Sequence, residues 1–125
     1  MLAVCLWRSM RTSQEIFDIV CQHLLTQKVK SIENFHCLYR GPNGTKCAVG
    51  CLIPDDQYKE DMEHNSITLL LRVKEFLSLE LKKELSTNIT LLKSLQNIHD
   101  KYSVFEWKSR LQLLADDSNL QFNYR

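Results

Sequence analysis

Glycine and proline are scarce in this chain, three and two of 125 residues, and all five fall between Gly41 and Pro54. Their absence elsewhere removes from most of the sequence the residues that take positive φ most readily and that break helices, and leaves long stretches free to form helix. A surplus of one charge is also missing: Lys plus Arg number 16 against 15 Asp plus Glu, a formal net charge of +1. A protein that works by neutralising phosphates carries a basic excess, so nucleic acid is not the favoured partner. Near-zero charge removes one barrier to docking on another protein or to forming a homo-oligomer. No apolar run approaches the roughly 20 residues that span a bilayer, and no membrane role is expected. The opening Met1-Leu-Ala-Val-Cys-Leu-Trp-Arg has an apolar run too short, and wrongly flanked, for a signal peptide. The five cysteines form no repeated spacing. Reduced thiols and a cytoplasmic location are the expectation. Asn43-Gly-Thr45 and Asn88-Ile-Thr90 match the glycosylation acceptor pattern, but without a secretory route they read as coincidence.

What is present is ordinary globular material. At 14.7 kDa, with 44% apolar and 25% charged residues, the chain is long enough for one domain with its own core. Thr12-Ser-Gln-Glu15 is a capping-box signature, and Ile16, Ile19, Val20, His23 and Leu24 follow at helical spacing, predicting a helix over 13–27. Leu69, Leu70, Val73, Phe76, Leu77 and Leu81 predict a second over 66–84. Asn88 is placed to cap a third, which buries Leu91, Leu92, Leu95 and Ile98 and runs to about 101. A fourth over 104–116 carries Val104, Trp107, Leu111 and Leu114. The polar tail 117–125 is expected to fray, and residues 1–9, ahead of Met10, read as a dispensable extension to a domain over 10–116. The predicted class is mainly α (α+β): about four amphipathic helices around one core, with a small β-hairpin near residues 37–49.

The hairpin expectation rests on Cys37-Leu-Tyr-Arg40 and Thr45-Lys-Cys-Ala-Val49, two β-prone runs around Gly-Pro-Asn-Gly. Cys47 to Ile53 equally fits a short buried helix entered from the turn, ended by Pro54. Asp55, Asp56 and Tyr58 then suggest a brief helical turn opened by an Asp cap.

Three kinds of chemistry are open to these residues. A cysteine nucleophile would be Cys47, beside Lys46 and after a glycine turn, with His99 as its base. Against it, His99 follows Leu92 and Leu95 on the apolar face, and Asp100, about 100° further round a helix, is poorly placed to orient the ring. A zinc site would draw on His36, Cys37, Cys47, Cys51 and His64, but these lack a Cys-x-x-Cys knuckle, so no metal or other cofactor is expected. The glycine loop is no phosphate cradle, since it lacks the G-x-x-x-x-G-K-[ST] spacing and Pro42 removes a donor. That leaves a contact surface. Arg40, Lys46, Asp55, Asp56 and Tyr58 offer Arg, Tyr and mixed charge on irregular backbone, the composition of interface centres. The competing surface is the charged face of the 66–84 helix, with Arg72, Lys74, Glu75, Lys82 and Lys83.

The segment Tyr39-Arg-Gly-Pro-Asn-Gly-Thr-Lys-Cys-Ala-Val-Gly-Cys-Leu-Ile-Pro-Asp, with Tyr58 and Met62-Glu63, resembles a group of small, functionally uncharacterised bacteriophage and prophage proteins. Gln14-Glu-Ile-Phe-Asp, Leu95-Gln-Asn-Ile-His-Asp and the W-x-x-x-L at Trp107 extend the similarity over residues 10 to about 115. The chain departs from that group at Cys51, where a small residue is expected, and at His64, where glycine is expected. The resemblance implies a small phage-type accessory protein that binds and inhibits a host or defence protein, as anti-CRISPR and other anti-defence proteins do. The alternative is the cysteine-dependent enzyme centred on Cys47 and His99.

Overall fold

The computed structural model describes residues 10–73 and 75–124, so the expected extension over 1–9 lies outside the described residues. Helix α1, Ser13–Gln27, opens on the capping box read from the sequence. Thr12 Oγ1 accepts the Glu15 N–H at 3.1 Å and Glu15 Oε1 accepts the Thr12 N–H at 2.8 Å. Lys28, in the left-handed region at φ 54, closes the helix by donating its N–H to Leu24 O. Ile16, Phe17, Val20, Cys21, Leu24 and Leu25 face the core. Ile19, expected with them, lies on the exposed side, because the buried stripe runs through residues 16, 17, 20, 21 and 24.

The connector then turns twice. Strands β1, Ile32–Glu33, and β2, His36–Cys37, pair antiparallel across Asn34 and Phe35, both at positive φ. The sheet therefore sits just before the Gly-Pro-Asn-Gly stretch. That stretch is a 3-10 turn over Pro42–Gly44, closed by one bridge between Arg40 and Lys46. Beyond it Cys47, Ala48, Val49, Leu52 and Ile53 are buried, with a 3-10 turn at Gly50–Leu52, the short buried helical form of this segment. Pro54 ends it and its carbonyl accepts the N–H groups of Gln57 and Tyr58.

The predicted helix over 66–84 is two helices. Helix α2, Ile67–Arg72, is capped by Ser66, and helix α3, Leu79–Thr87, by Ser78, whose Oγ accepts the Leu81 N–H at 3.2 Å. Val73 is extended (ψ 116), and Ser78 donates its N–H to Gln57 Oε1 at 2.8 Å. The break is thus bonded on both sides. Leu70, Leu77, Leu81 and Leu85 are buried, while Val73 and Phe76 are half-buried. Asn88 precedes helix α4, Ile89–Lys101, without capping it. Its Oδ1 accepts from Ser13 Oγ at 2.6 Å and its Nδ2 donates to Glu84 O at 2.9 Å, joining the α3–α4 corner to the start of α1.

Helix α5, Val104–Asp117, buries Trp107, Leu111 and Ala115 and leaves Leu114 half-buried. It ends in a Schellman turn: Asn119 is left-handed at φ 57 and Leu120 donates to Ala115 O at 2.8 Å. Residues 120–124 are docked against the rest of the fold. Gln14 pairs with both backbone groups of Gln121 at 2.9 Å, and Leu120, Phe122 and Tyr124 pack along the core edge. Helix α1 packs against α4, α5 and the Gly50–Leu52 turn, while α3 joins α2 to α4. The class is as the sequence predicts, mainly helical with one small antiparallel hairpin. Among the described residues no helix is long and apolar enough to cross a membrane.

Gly50 is fixed by a close approach: a Cβ there would stand 2.1 Å from Tyr39 O, which is backbone and unable to retreat. Gly44 has open space around it and only a left-handed φ of 75. Gly50→Ala should therefore lose about 2–3 kcal/mol in urea unfolding, as overpacked sites do. Gly44→Ala should lose about 1–2 kcal/mol, the left-handed penalty alone.

Candidate functional site

The five residues singled out as a contact surface come from three loop segments, and the structure joins four of them. The Arg40 guanidinium lies 4.8 Å from the Tyr58 ring centroid, donates to Ile53 O at 2.7 Å and pairs with Asp55 at 2.8 Å. Lys46 reaches the same Asp55 oxygen at 3.8 Å. Asp56 is exposed beside them with no bonded partner among the described residues. The residue that organises the group is Glu63, which appears in the sequence only within the phage-like Met62-Glu63. Its carboxylate accepts the N–H groups of Tyr39 and Arg40 at 2.8 and 3.0 Å and the Tyr58 hydroxyl at 2.6 Å. Burial and that carboxylate both hold the Tyr58 hydroxyl protonated, well above the usual phenol range. The loop is anchored beneath by α1: Gln27 brackets the Lys46 backbone, accepting its N–H at 2.9 Å and donating to its carbonyl at 3.0 Å. His23 donates to that carbonyl as well, at 2.8 Å.

The enzyme candidates do not form a pair. Cys47 is 1% exposed, and burial pushes its thiol up to about 12, against a smaller opposing effect of the Gly50 N–H that it accepts at 3.3 Å. The cysteine that stands beside His99 is Cys37: its Sγ, a ring nitrogen of His99 and a carboxylate oxygen of Asp100 lie within 4.8 Å of one another. The expectation that Asp100 is poorly placed to orient His99 is overturned, since His99 Nδ1 and Asp100 Oδ1 are 2.8 Å apart. The ring stacks on Trp107, with centroids 5.5 Å apart, and presents its edge sideways to the next residue. At its other end Nε2 accepts the Ser31 N–H at 3.0 Å. A backbone N–H can only donate, so Nε2 is bare, and Nδ1 carries the proton given to Asp100. Both nitrogens are occupied, and His99 has no free lone pair for a thiol proton.

The same tautomer argues against an ion at this cluster. Metal on Nδ1 would move the proton to Nε2 and aim it at the Ser31 N–H, whereas ligating histidines donate from the second nitrogen to an acceptor. The zinc set read from the sequence is divided too. Cys37 bonds Asp100, Cys51 donates to Ala48 O at 3.1 Å, and burial holds Cys37, Cys47 and Cys51 each at about 12. His36 and His64 of that set face each other with ring centroids 5.6 Å apart, and Cys51 donates its N–H to Cys47 O at 3.1 Å. A cleft of about 460 Å³ is lined by Cys37, His64, Lys93, Asn97 and Asp100 among others, with the buried Cys47 in its wall. In the competing helix face, Lys74 lies outside the described residues, and its remaining members are divided between α2, α3 and the segment between them.

With this geometry in hand, comparison with known proteins finds no matching family model, no matching curated protein and no matching solved structure.

Two outcomes follow from the buried groups. Iodoacetamide at neutral pH should alkylate Cys47 no faster than the protein unfolds, as followed by mass spectrometry of the peptide. Burial pushes the Asp100 carboxyl up, but hydrogen bonds from His99, Cys37 and Gln96 outweigh it and hold the group below its ordinary 3.8. A depressed carboxyl stabilises the fold above its unfolded value and loses that contribution as pH falls through the folded one. Asp100→Asn should therefore cost about 1–3 kcal/mol at pH 7, and its deficit against the wild type should shrink only below about pH 4. A deficit that is constant down to pH 2 would contradict the assignment.

Proposed function

We propose that this protein is a small accessory protein of phage type, acting by binding and inhibiting a host or defence protein in the bacterial cytoplasm. Its contact surface is the platform of Arg40, Lys46, Asp55, Asp56 and Tyr58. The observation that carries the reading is that Arg40 and Tyr58 are fixed before any partner arrives: Glu63 takes the Arg40 backbone N–H and the Tyr58 hydroxyl, and Ile53 O and Asp55 hold the Arg40 guanidinium over the Tyr58 ring. Side chains fixed in advance lose less freedom on binding, and Arg and Tyr are the types that dominate interface energetics. The thiol-enzyme alternative lacks comparable support, since Cys47 is sealed and His99 has both nitrogens engaged. The class of target comes from the resemblance to small phage proteins.

Arg40 is also structural, through Ile53 O and Asp55, so its loss would confuse folding with binding. The cleaner test uses Lys46→Ala, Asp55→Ala and Asp56→Ala together, whose side chains reach solvent. With the partner captured from a host lysate and identified, this triple variant should bind at least about tenfold more weakly and melt within a few degrees of the wild type. Cys47→Ser should bind as the wild type does. If the triple variant binds normally while charge reversal at Lys82 and Lys83 abolishes binding, the α3 face is the interface and the platform is not.

A further inference from the structure

Two of the four histidines are held by the backbone: His23 donates to Lys46 O and His99 accepts from Ser31. The other two, His36 and His64, are exposed and have no hydrogen-bond partner among the described residues. They face each other, with ring centroids 5.6 Å apart and ring planes at 89°. His36 closes the hairpin directly opposite Glu33, in register, so a carboxylate and an imidazole stand on one face of the ribbon. His64 arrives from a separate segment, left-handed at φ 66, immediately after Glu63. The backbone on that side is fixed by the three bonds to the Glu63 carboxylate and by Asn65, whose Nδ2 donates to Asp61 O and whose carbonyl accepts from the Tyr39 hydroxyl.

We propose that His36 and His64, with Glu33 as third ligand, form a surface site for a divalent first-row transition metal of the zinc type. Ring-nitrogen bonds of about 2.0–2.1 Å to a tetrahedral ion place two imidazole centroids about 5 Å apart, close to the 5.6 Å already present. The ligand atoms of the three residues are not yet within 4.8 Å of one another, so the site closes by rotation of three exposed side chains. Glu33 is exposed and free to swing toward its cross-strand neighbour, and the remaining position stays with solvent. Two imidazoles with one carboxylate suit zinc, nickel or copper, whereas calcium and magnesium require oxygen ligands throughout. The contrast with Cys37, His99 and Asp100 is direct: here no ring nitrogen has a hydrogen bond to give up, and no thiol must ionise inside the protein. An ion held here pins the hairpin to the segment that carries Glu63. The site stands independently of the binding role assigned above.

Calorimetric titration of the full 125-residue chain with zinc chloride, under a reductant that does not bind metal, tests this. One zinc ion per chain should bind saturably. His36→Ala and His64→Ala should each weaken it about tenfold or more, and neither should alter the metal-free melting temperature, because both rings are exposed. Glu33→Gln should weaken binding several-fold, and unchanged affinity there would overturn its place as third ligand. Cobalt(II) should bind to the same site without a sulfur-to-metal charge-transfer band. The assignment is overturned by an absence of saturable zinc binding, by wild-type affinity in either histidine variant, or by a charge-transfer band placing the ion on cysteine.

Discussion

The structure depends on one carboxylate at the end of a helix. Asp100 lies in the last turn of α4, where the helix dipole disfavours an anion, and it is held there by donors from His99, Cys37 and Gln96. Each of those donors reaches onward. His99 accepts from the Ser31 N–H, Gln96 Oε1 accepts the Val49 N–H at 3.0 Å, and Cys37 belongs to the hairpin. Three points of the irregular 28–53 region are therefore tied to one helical turn. The backbone bonds of this region are short-range turns and a two-residue hairpin, so side-chain bonds such as these are what tie it to the helical layer. Buried polar groups of this kind are stabilising only when every member has a partner, and here the chain of bonds closes.

A second carboxylate does for the surface what Asp100 does for the interior. Glu63 binds two consecutive N–H groups, at Tyr39 and Arg40, in the manner of an anion seated in a backbone concavity. Tyr39 also lies where Gly50 permits close approach, so its backbone is bracketed from both sides. The ion pairs that Arg40 and Lys46 make with Asp55 add little to stability, because Asp55 is largely in water. Their effect is geometric: they hold long side chains in one place.

Most of the helical layer was legible. Thr12 to Glu15 announced α1 because the capping box encodes its own hydrogen bonds, and the apolar spacing around Leu92, Leu95 and Trp107 set α4 and α5 in place. The division of the 66–84 stretch was not, because the apolar period passes through Val73 to Leu77 without a change of phase. Only Ser78, a good cap, marked the restart, and its partner Gln57 lies in a distant loop. The hairpin was displaced for a similar reason. Asn43-Gly44 is the stronger turn signal, yet the two-residue turn that pairs strands is Asn34-Phe35, where tertiary bonds from Ser31 and Cys37 carry a bulky residue into positive φ. At the site, the residue types of the platform were readable from composition, but Glu63 was not, since nothing local distinguishes a carboxylate that gathers distant N–H groups. Asp100 was misread because the 100° between neighbours describes the directions of their Cβ atoms. A ring laid flat against Trp107 reaches sideways with its edge, and a short carboxylate meets it.

The division between occupied and unoccupied polar groups separates structure from function in this chain. His99, Cys37 and Cys47 look chemically suggestive in the sequence, yet each is engaged by the fold, and thiols held near 12 by burial are not nucleophiles at neutral pH. Catalysis would need at least one of them to be released, at the cost of leaving a buried partner unpaired. A surface that binds needs no such release. Arg40 and Tyr58 keep one face bonded inward and another toward solvent, and Asp56, His36 and His64 hold their polar atoms outward with nothing internal to satisfy. Recognition is therefore available to this molecule without disturbing its core, whereas chemistry at Cys47 is not.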